Sequence, residues 1–283
     1  MGEELDKILD DIINNNKGYH MLRQLCSFEA DFNARSTQPN PITNRVQYII
    51  AQLTNRNIPH EVEIFKAING VPTATAEDTT NCFVNVVVSI EGENKDITTV
   101  FLAHHDVSNM KSENCQDNTA SVANLLDLCV RLTKNKPSNN VVIAFVDAEE
   151  IVQPSICGAQ KLGQNIISGK YGQVKYAVNL ELTANGRNYW LSHRTDNLLS
   201  KTIREIQPTT KRVRTPYNDA FVLEMLGLPS VCIGSLNDGN MSQVSTQGYC
   251  KTWAMCHVME DTFDSQAVEG DMDLFVNYLE TLI

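Results

Sequence analysis

The chain has 283 residues, 42 % of them apolar, enough to build the core of one large α/β domain. Lys and Arg total 23 against 34 Asp and Glu, and the resulting formal charge of −11 repels phosphate backbones and anionic lipid, which argues against a nucleic-acid partner. The start, Met-Gly-Glu-Glu-Leu-Asp, has neither the basic residues nor the apolar run of a signal peptide, and no stretch approaches the ~20 apolar residues of a membrane span, so a cytoplasmic protein with no membrane partner is expected.

The first 57 residues read as helical. Leu5, Ile8, Leu9, Ile12 and Ile13 recur at helical spacing, and further helices fit 18–34 and, after Pro39 and Pro41, 42–56. The period then falls to two. Glu61-Val-Glu-Ile-Phe65 alternates like a half-buried strand and Asn85-Val-Val-Val-Ser-Ile90 follows it. From there strands at 98–103, 141–146, 176–181 and 230–234 alternate with helices at 118–134, 157–167, 195–206 and 219–226. The nearly all-apolar run Val141-Val-Ile-Ala-Phe-Val146 predicts a central strand. Residues 235–256 are polar and patternless and read as a long loop, and 265–282 as a closing helix. This order predicts a single domain over 1–283, a three-layer α/β/α sandwich with a mixed, mostly parallel sheet, onto which the helical N-terminal segment, residues 1–57, packs. The eight cysteines (26, 82, 115, 129, 157, 232, 250 and 256) form no C-x-x-C pair, so free thiols are expected, with Cys250 and Cys256 near enough to bridge in an oxidising compartment.

In such sheets ligands bind beyond the carboxyl ends of the strands. His104-His105-Asp106 follows the strand at 98–103, Asp147-Ala-Glu149-Glu150 follows 141–146, Glu181 ends 176–181, and the loop after 230–234 leads to His257 and Asp261. Asp117 stands before the 118–134 helix, as an N-cap or as something more. Two histidines with several carboxylates drawn from separate segments match the donor set of zinc sites. The His104-x-Asp106 spacing puts both side chains on the same side of an extended chain, so Asp106 can hold the His104 ring while His105 points away.

In these stretches the sequence resembles the metallo-aminopeptidase family with co-catalytic zincs, which includes bacterial leucyl aminopeptidases, glutamate carboxypeptidase-like enzymes and glutaminyl cyclases. Ala-His104-His-Asp106, Gln-Asp117-Asn118, Phe145-Val-Asp-Ala-Glu149-Glu150, Asn179-Leu-Glu181, Asn218-Asp219-Ala-Phe221 with Gly227-Leu-Pro229, and His257-x-x-x-Asp261 occur in the family's order over about 80–265. The resemblance implies two zinc ions bridged by Asp117, one completed by His104 and Glu181 and the other by Glu150 and His257. It implies Glu149 as general base, Asp106 as the group that orients His104, Asp219 as an acidic residue lining the substrate pocket, and Asp261 as support for the His257 ring. The implied activity is removal of N-terminal residues from short peptides. A single-zinc glutaminyl cyclase and a non-catalytic binding protein are the alternatives on this fold. Two positions depart from the family pattern: Glu181 stands where the aminopeptidases usually carry Asp, and Ile151-Val-Gln-Pro-Ser-Ile-Cys-Gly158 replaces a Gly-rich turn. Tyr217 and Tyr249 read as packing tyrosines, and Arg187, Arg194, Arg212 and Arg214 as surface charges with a substrate role in reserve.

Overall fold

The side chains of Val141–Val146 are buried all along the strand because both faces of the sheet are covered. Phe101, Ala103, Ile143 and Phe145 join one apolar cluster, while Val100, Leu102, Val142 and Ala144 join another on the opposite face. The computed structural model describes residues 17–28, 42–68, 71–72, 82–108, 112–150, 157–247, 253–254 and 256–283.

In chain order these comprise α1 (Gly18–Cys26), α2 (Asn44–Asn55), β1 (His60–Ile68), β2 (Val71–Pro72), β3 (Cys82–Ile90), β4 (Asn94–His104), α3 (Ala120–Lys134) and β5 (Asn139–Val146). Then come α4 (Gly158–Ile167), β6 (Val174–Leu180), β7 (Asn188–Ser192), α5 (Leu198–Ile206), β8 (Lys211–Arg212), α6 (Asp219–Met225) and β9 (Ser230–Leu236). The last helices are α7 (Asp238–Gln247), α8 (Phe263–Gln266) and α9 (Glu269–Glu280). The strands form one sheet in the order β2-β1-β3-β5-β4-β6-β9-β7-β8. Parallel pairing is concentrated in the centre, in β5-β4-β6-β9, while β1-β3-β5 and β9-β7 pair antiparallel. The antiparallel flanks are thus broader than the alternation of predicted elements suggests.

Helices α1, α2, α3 and α9 cover one face through Leu22, Leu25, Val46, Ile49, Leu125 and Phe275, and α4 and α6 cover the other through Leu162, Val222 and Leu223. The first predicted helix, around Leu5–Ile13, and residues 29–34 of the one predicted over 18–34 lie outside the described residues. The second helix ends at Cys26, and the predicted closing helix is broken by Ala267 and Val268 into α8 and α9.

Two expectations need correction. The patternless stretch 235–256 contains a helix, α7, whose only buried apolar residues are Met241 and Val244, too few for a helical stripe to be read from the sequence. The short strands β7 and β8 also carry too few residues for an alternation to register.

Gly234 in β9 sits opposite Trp190 of β7. A methyl group there would overlap the Glu181 carbonyl oxygen and the Trp190 indole. Gly234→Ala is therefore expected to lower unfolding stability by about 2 kcal/mol or more in a denaturant titration, because rigid backbone, not a flexible side chain, must give way.

Candidate metal centre

Each of the parallel central strands ends at the same edge of the sheet. β4 ends on His104, β5 is followed by Asp147–Glu150, and β6 is followed by Glu181. Asp117 lies in a single π-type turn, Cys115–Thr119, that leads into α3. It does not cap that helix: the cap position is Thr119, with no capping side chain. Instead the turn is held from outside. The Asp261 carboxylate accepts the Gln116 and Asp117 N–H groups at 2.7 and 3.2 Å, and Asn118 Nδ2 donates to the Leu180 carbonyl at 2.7 Å.

The Asp117 carboxylate faces two separate pairs. Its Oδ1 lies 3.3 Å from His104 Nε2, which is in turn 3.6 Å from Glu181 Oε2. Its Oδ2 lies 3.0 Å from His257 Nε2, which is 3.1 Å from Glu150 Oε2. A tetrahedral shell with bonds of roughly 2.0–2.2 Å has donor–donor edges of roughly 3.3–3.6 Å, so both groupings are near the spacing that a zinc-sized ion requires. One atom each from His104, Asp117 and Glu150 also lie within 4.8 Å of one another. Glu150 Oε1 is buried without a hydrogen-bond partner, a lone pair that the protein itself leaves unmatched. The donor set is nitrogen and carboxylate oxygen, all of it suited to zinc.

The profile of peptidase family M28 matches residues 85–230, just over half of the 283 residues. The chain belongs to peptidase family M28. No curated protein sequence matches it. Among solved structures, a leucine aminopeptidase precursor from Bacteroides thetaiotaomicron superposes with TM-score 0.68 at 15 % identity, over 94 % of this chain and 95 % of that one. The LapA aminopeptidase of Legionella pneumophila gives 0.69 at 16 % over 100 % and 74 %. The glutaminyl cyclase of Porphyromonas gingivalis gives 0.69 at 16 % over 94 % and 96 %. At these identities the likeness is one of fold.

The M28 chain places its other predicted residues as follows. Asp106 Oδ1 lies 3.3 Å from His104 Nδ1, as the spacing predicts. The same carboxylate also accepts the backbone N–H groups of Glu149 and Glu150 at 3.2 and 3.1 Å, so it fixes two loops at once. His105 points away, its Nε2 lying 2.8 Å from the Val84 carbonyl oxygen. Glu149 lines the cleft, of about 360 Å³, together with His104, Asp117, Glu150, Glu181 and His257. Three non-glycine residues beside or within this set, Ala148, Leu182 and His257, have positive φ of 65°, 56° and 65°. Such left-handed backbone collects where local geometry serves a site.

Two further acidic residues are buried beside the centre. Asp219 is fully buried at the start of α6, with neither carboxylate oxygen hydrogen-bonded, close enough for its charge to act on Glu149, and its neighbour Asn218 lines the cleft. Asp261 bonds the Asp117 turn and not the His257 ring, supporting the opposite side of the centre. Arg187 is exposed, pairs with Asp271 at 2.7 Å and is not among the residues lining the cleft. Tyr249 and the segment 151–156 lie outside the described residues. The sequence reading missed Trp190, Trp253 and Cys256, which form the apolar side of the cleft.

The electrostatics follow from burying many carboxylates beside two imidazoles. Hydrogen bonds to Asp117 and Glu150 push His257 up to about 10. Burial acts to lower His104, but Glu181, Asp106 and Asp117 outweigh it and the net direction is upward. Burial pushes Glu150 up to about 7, with the Asp117 charge adding, and it raises Glu149 well above the usual carboxylate range. For Asp117 burial acts upward, yet the two histidines hold it below that range. In the metal-free protein these surroundings favour the protonated form of both imidazoles, and a cation would have to displace those protons. Zinc titration at pH 7.5 in two buffers of different ionisation enthalpy is expected to show about two protons released per chain, with affinity rising as pH rises toward 10. Proton-neutral binding would contradict this arrangement.

Proposed function

We propose that the chain is a zinc aminopeptidase that removes N-terminal residues from short peptides, with two ions sharing Asp117. The observation that carries this reading is the division of the Asp117 carboxylate between His104 with Glu181 and His257 with Glu150. When bound there, zinc supplies a Lewis acid for the scissile carbonyl and lowers the pKa of water to about 7. The rest is done by the chain. Asp106 fixes the His104 ring and the backbone of both glutamates. Glu149 takes a proton from the attacking water on its carboxylate and returns it to the leaving amine. The surplus of carboxylates suits the cationic α-amino group of the substrate. Trp190, Trp253 and Leu182 give the cleft an apolar wall against the first side chain.

In this reading residues 1–283 are one domain. No helix among the described residues is long and apolar enough to cross a membrane.

The test is metal content together with direction of cleavage. Two zincs per chain are expected, with hydrolysis of C-terminally blocked dipeptides and none of N-terminally blocked ones. A second reading, a glutaminyl cyclase-like acyl transferase, draws on the Porphyromonas gingivalis cyclase, whose chain and this one cover each other almost completely. One tightly bound zinc with cyclisation of N-terminal glutamine would favour it.

A further inference from the structure

Beside the cleft lies a second cavity, of about 570 Å³, with different chemistry. The parallel strands β7 and β8 end at it, Leu191 pairing with Arg212. Beyond the strand ends the two segments stay tied, Val213 N–H donating to the Leu191 carbonyl at 2.9 Å and Thr215 Oγ1 meeting Ser192 Oγ at 2.8 Å. Their continuation sets His193, Arg194, Arg212 and Arg214 around one space. Three arginines on one cavity are a local exception in a chain of charge −11.

Little of that positive charge is neutralised. Arg212 makes an exposed 3.5 Å pair with Asp196. The Arg194 guanidinium lies 4.7 Å from the centroid of the Phe221 ring. The Glu224 carboxylate accepts the backbone N–H groups of Arg194 and Thr195 at 2.9 and 3.3 Å. Arg214 makes no ion pair or side-chain hydrogen bond with the described residues. Behind the arginines His193 is only 5 % exposed, and neither ring nitrogen has a hydrogen-bond partner, the Asp196 carboxylate standing 3.4 Å from Nε2. The Tyr217 hydroxyl is likewise buried and unpartnered. Thr215 and Tyr217 line both this cavity and the cleft, so the two adjoin.

We propose that this cavity is a carboxylate-recognition subsite, which holds an acidic group of the peptide while its scissile amide sits at the His104–Glu181 centre. The inference rests on the peptidase reading and narrows its substrate class. Guanidinium groups match a carboxylate in shape and charge, and His193 and Tyr217 line the same space beside them. The carboxylate has two sources, the C-terminus of a dipeptide or an acidic side chain.

Three substrates separate them: leucylalanine, leucylalanine amide and glutamylalanine amide, each assayed with the zinc-loaded wild type and with the double variant R212Q/R214Q. One of the two carboxylate-bearing substrates is expected to exceed leucylalanine amide in kcat/KM by about tenfold, mainly through KM, and to lose that advantage in the double variant and in high salt. Preference for leucylalanine identifies the C-terminus; preference for glutamylalanine amide identifies the side chain. Equal kcat/KM for all three in the wild type, or a preference that survives both arginine substitutions, overturns the proposal while leaving the peptidase reading intact. If the wild type cleaves none of the three, the peptidase reading fails instead. The cavity is then tested by equilibrium binding of the same compounds to the protein as purified. Salt-sensitive binding of a carboxylate-bearing compound that is lost in R212Q/R214Q supports the cavity as a carboxylate site, and absence of binding overturns it.

Discussion

Asp117→Ala is expected to empty both proposed metal subsites at once and to reduce peptide hydrolysis to background. The reason is geometric. Asp117 is the only side chain whose two oxygens face the His104 and the His257 groupings, at 3.3 and 3.0 Å, among the described residues. Its loss leaves each grouping one histidine and one glutamate, short of the three protein ligands that catalytic zinc sites use. It also removes the anion held between the two imidazoles, so those two rings, each drawn toward its protonated form, face one another with less compensation. The predicted readings are a fall from two zincs to none by elemental analysis and a far-ultraviolet circular dichroism spectrum like the wild type's. The zinc-induced rise in melting temperature should vanish, since a ligand at 100 Kd contributes about 2.7 kcal/mol to a protein that binds it only when folded. Glu181→Ala is the informative partner. It should release the ion on the His104 side first, because Glu181 faces that histidine alone. If Asp117→Ala kept one tightly bound zinc and substantial turnover, the shared-bridge arrangement would be wrong.

The contrast between these two positions shows where the sequence is a sufficient guide. Asp117 and Glu181 are legible because each follows or precedes a strongly patterned element, and parallel strands deliver their ends to one edge. The central strands are legible for the same physical reason: both faces of β4, β5 and β6 are covered, so their buried stretches, such as Val100–Ala103 and Val141–Val146, are runs of apolar residues. Other contributions leave no periodic trace. Asp106 reaches backbone amides more than 40 residues away in the Glu149–Glu150 turn, and Asp261 reaches across almost 150 residues to the Asp117 turn. A carboxylate that accepts backbone N–H groups reads in sequence like any solvated acid. Asp219 shows the same limit, since nothing in its motif says that α6 buries its carboxylate without a hydrogen-bond partner. The arginine cavity was legible only as three unassigned charges, Arg194, Arg212 and Arg214. It exists because β8 pairs parallel with β7, and those strands are too short to be read.

Glu149→Gln separates chemistry from metal binding and carries the second large effect, a loss of turnover of about 10²–10⁴-fold with unchanged zinc content. Glutamine keeps the volume and a polar contact but cannot accept and return a proton. The residue is suited to that task by its surroundings. Its backbone N–H is fixed by Asp106 while its side chain lines the cleft beside the ligand candidate Glu150. Burial raises its carboxyl well above the usual range, with His104 opposing and Glu181 and Asp219 adding to the rise. A base with a raised pKa binds a proton more strongly in the transition state than an ordinary carboxylate does. It also sets the acid limb of the rate profile. In the wild type kcat/KM should fall as pH drops through the raised pKa, because the protonated form cannot act as the base. In Glu149→Gln the residual rate should lose that limb. Wild-type turnover in the variant would remove Glu149 from the mechanism. A loss of zinc alongside the loss of rate would instead make it a ligand, and the division of labour between the adjacent glutamates would have to be redrawn.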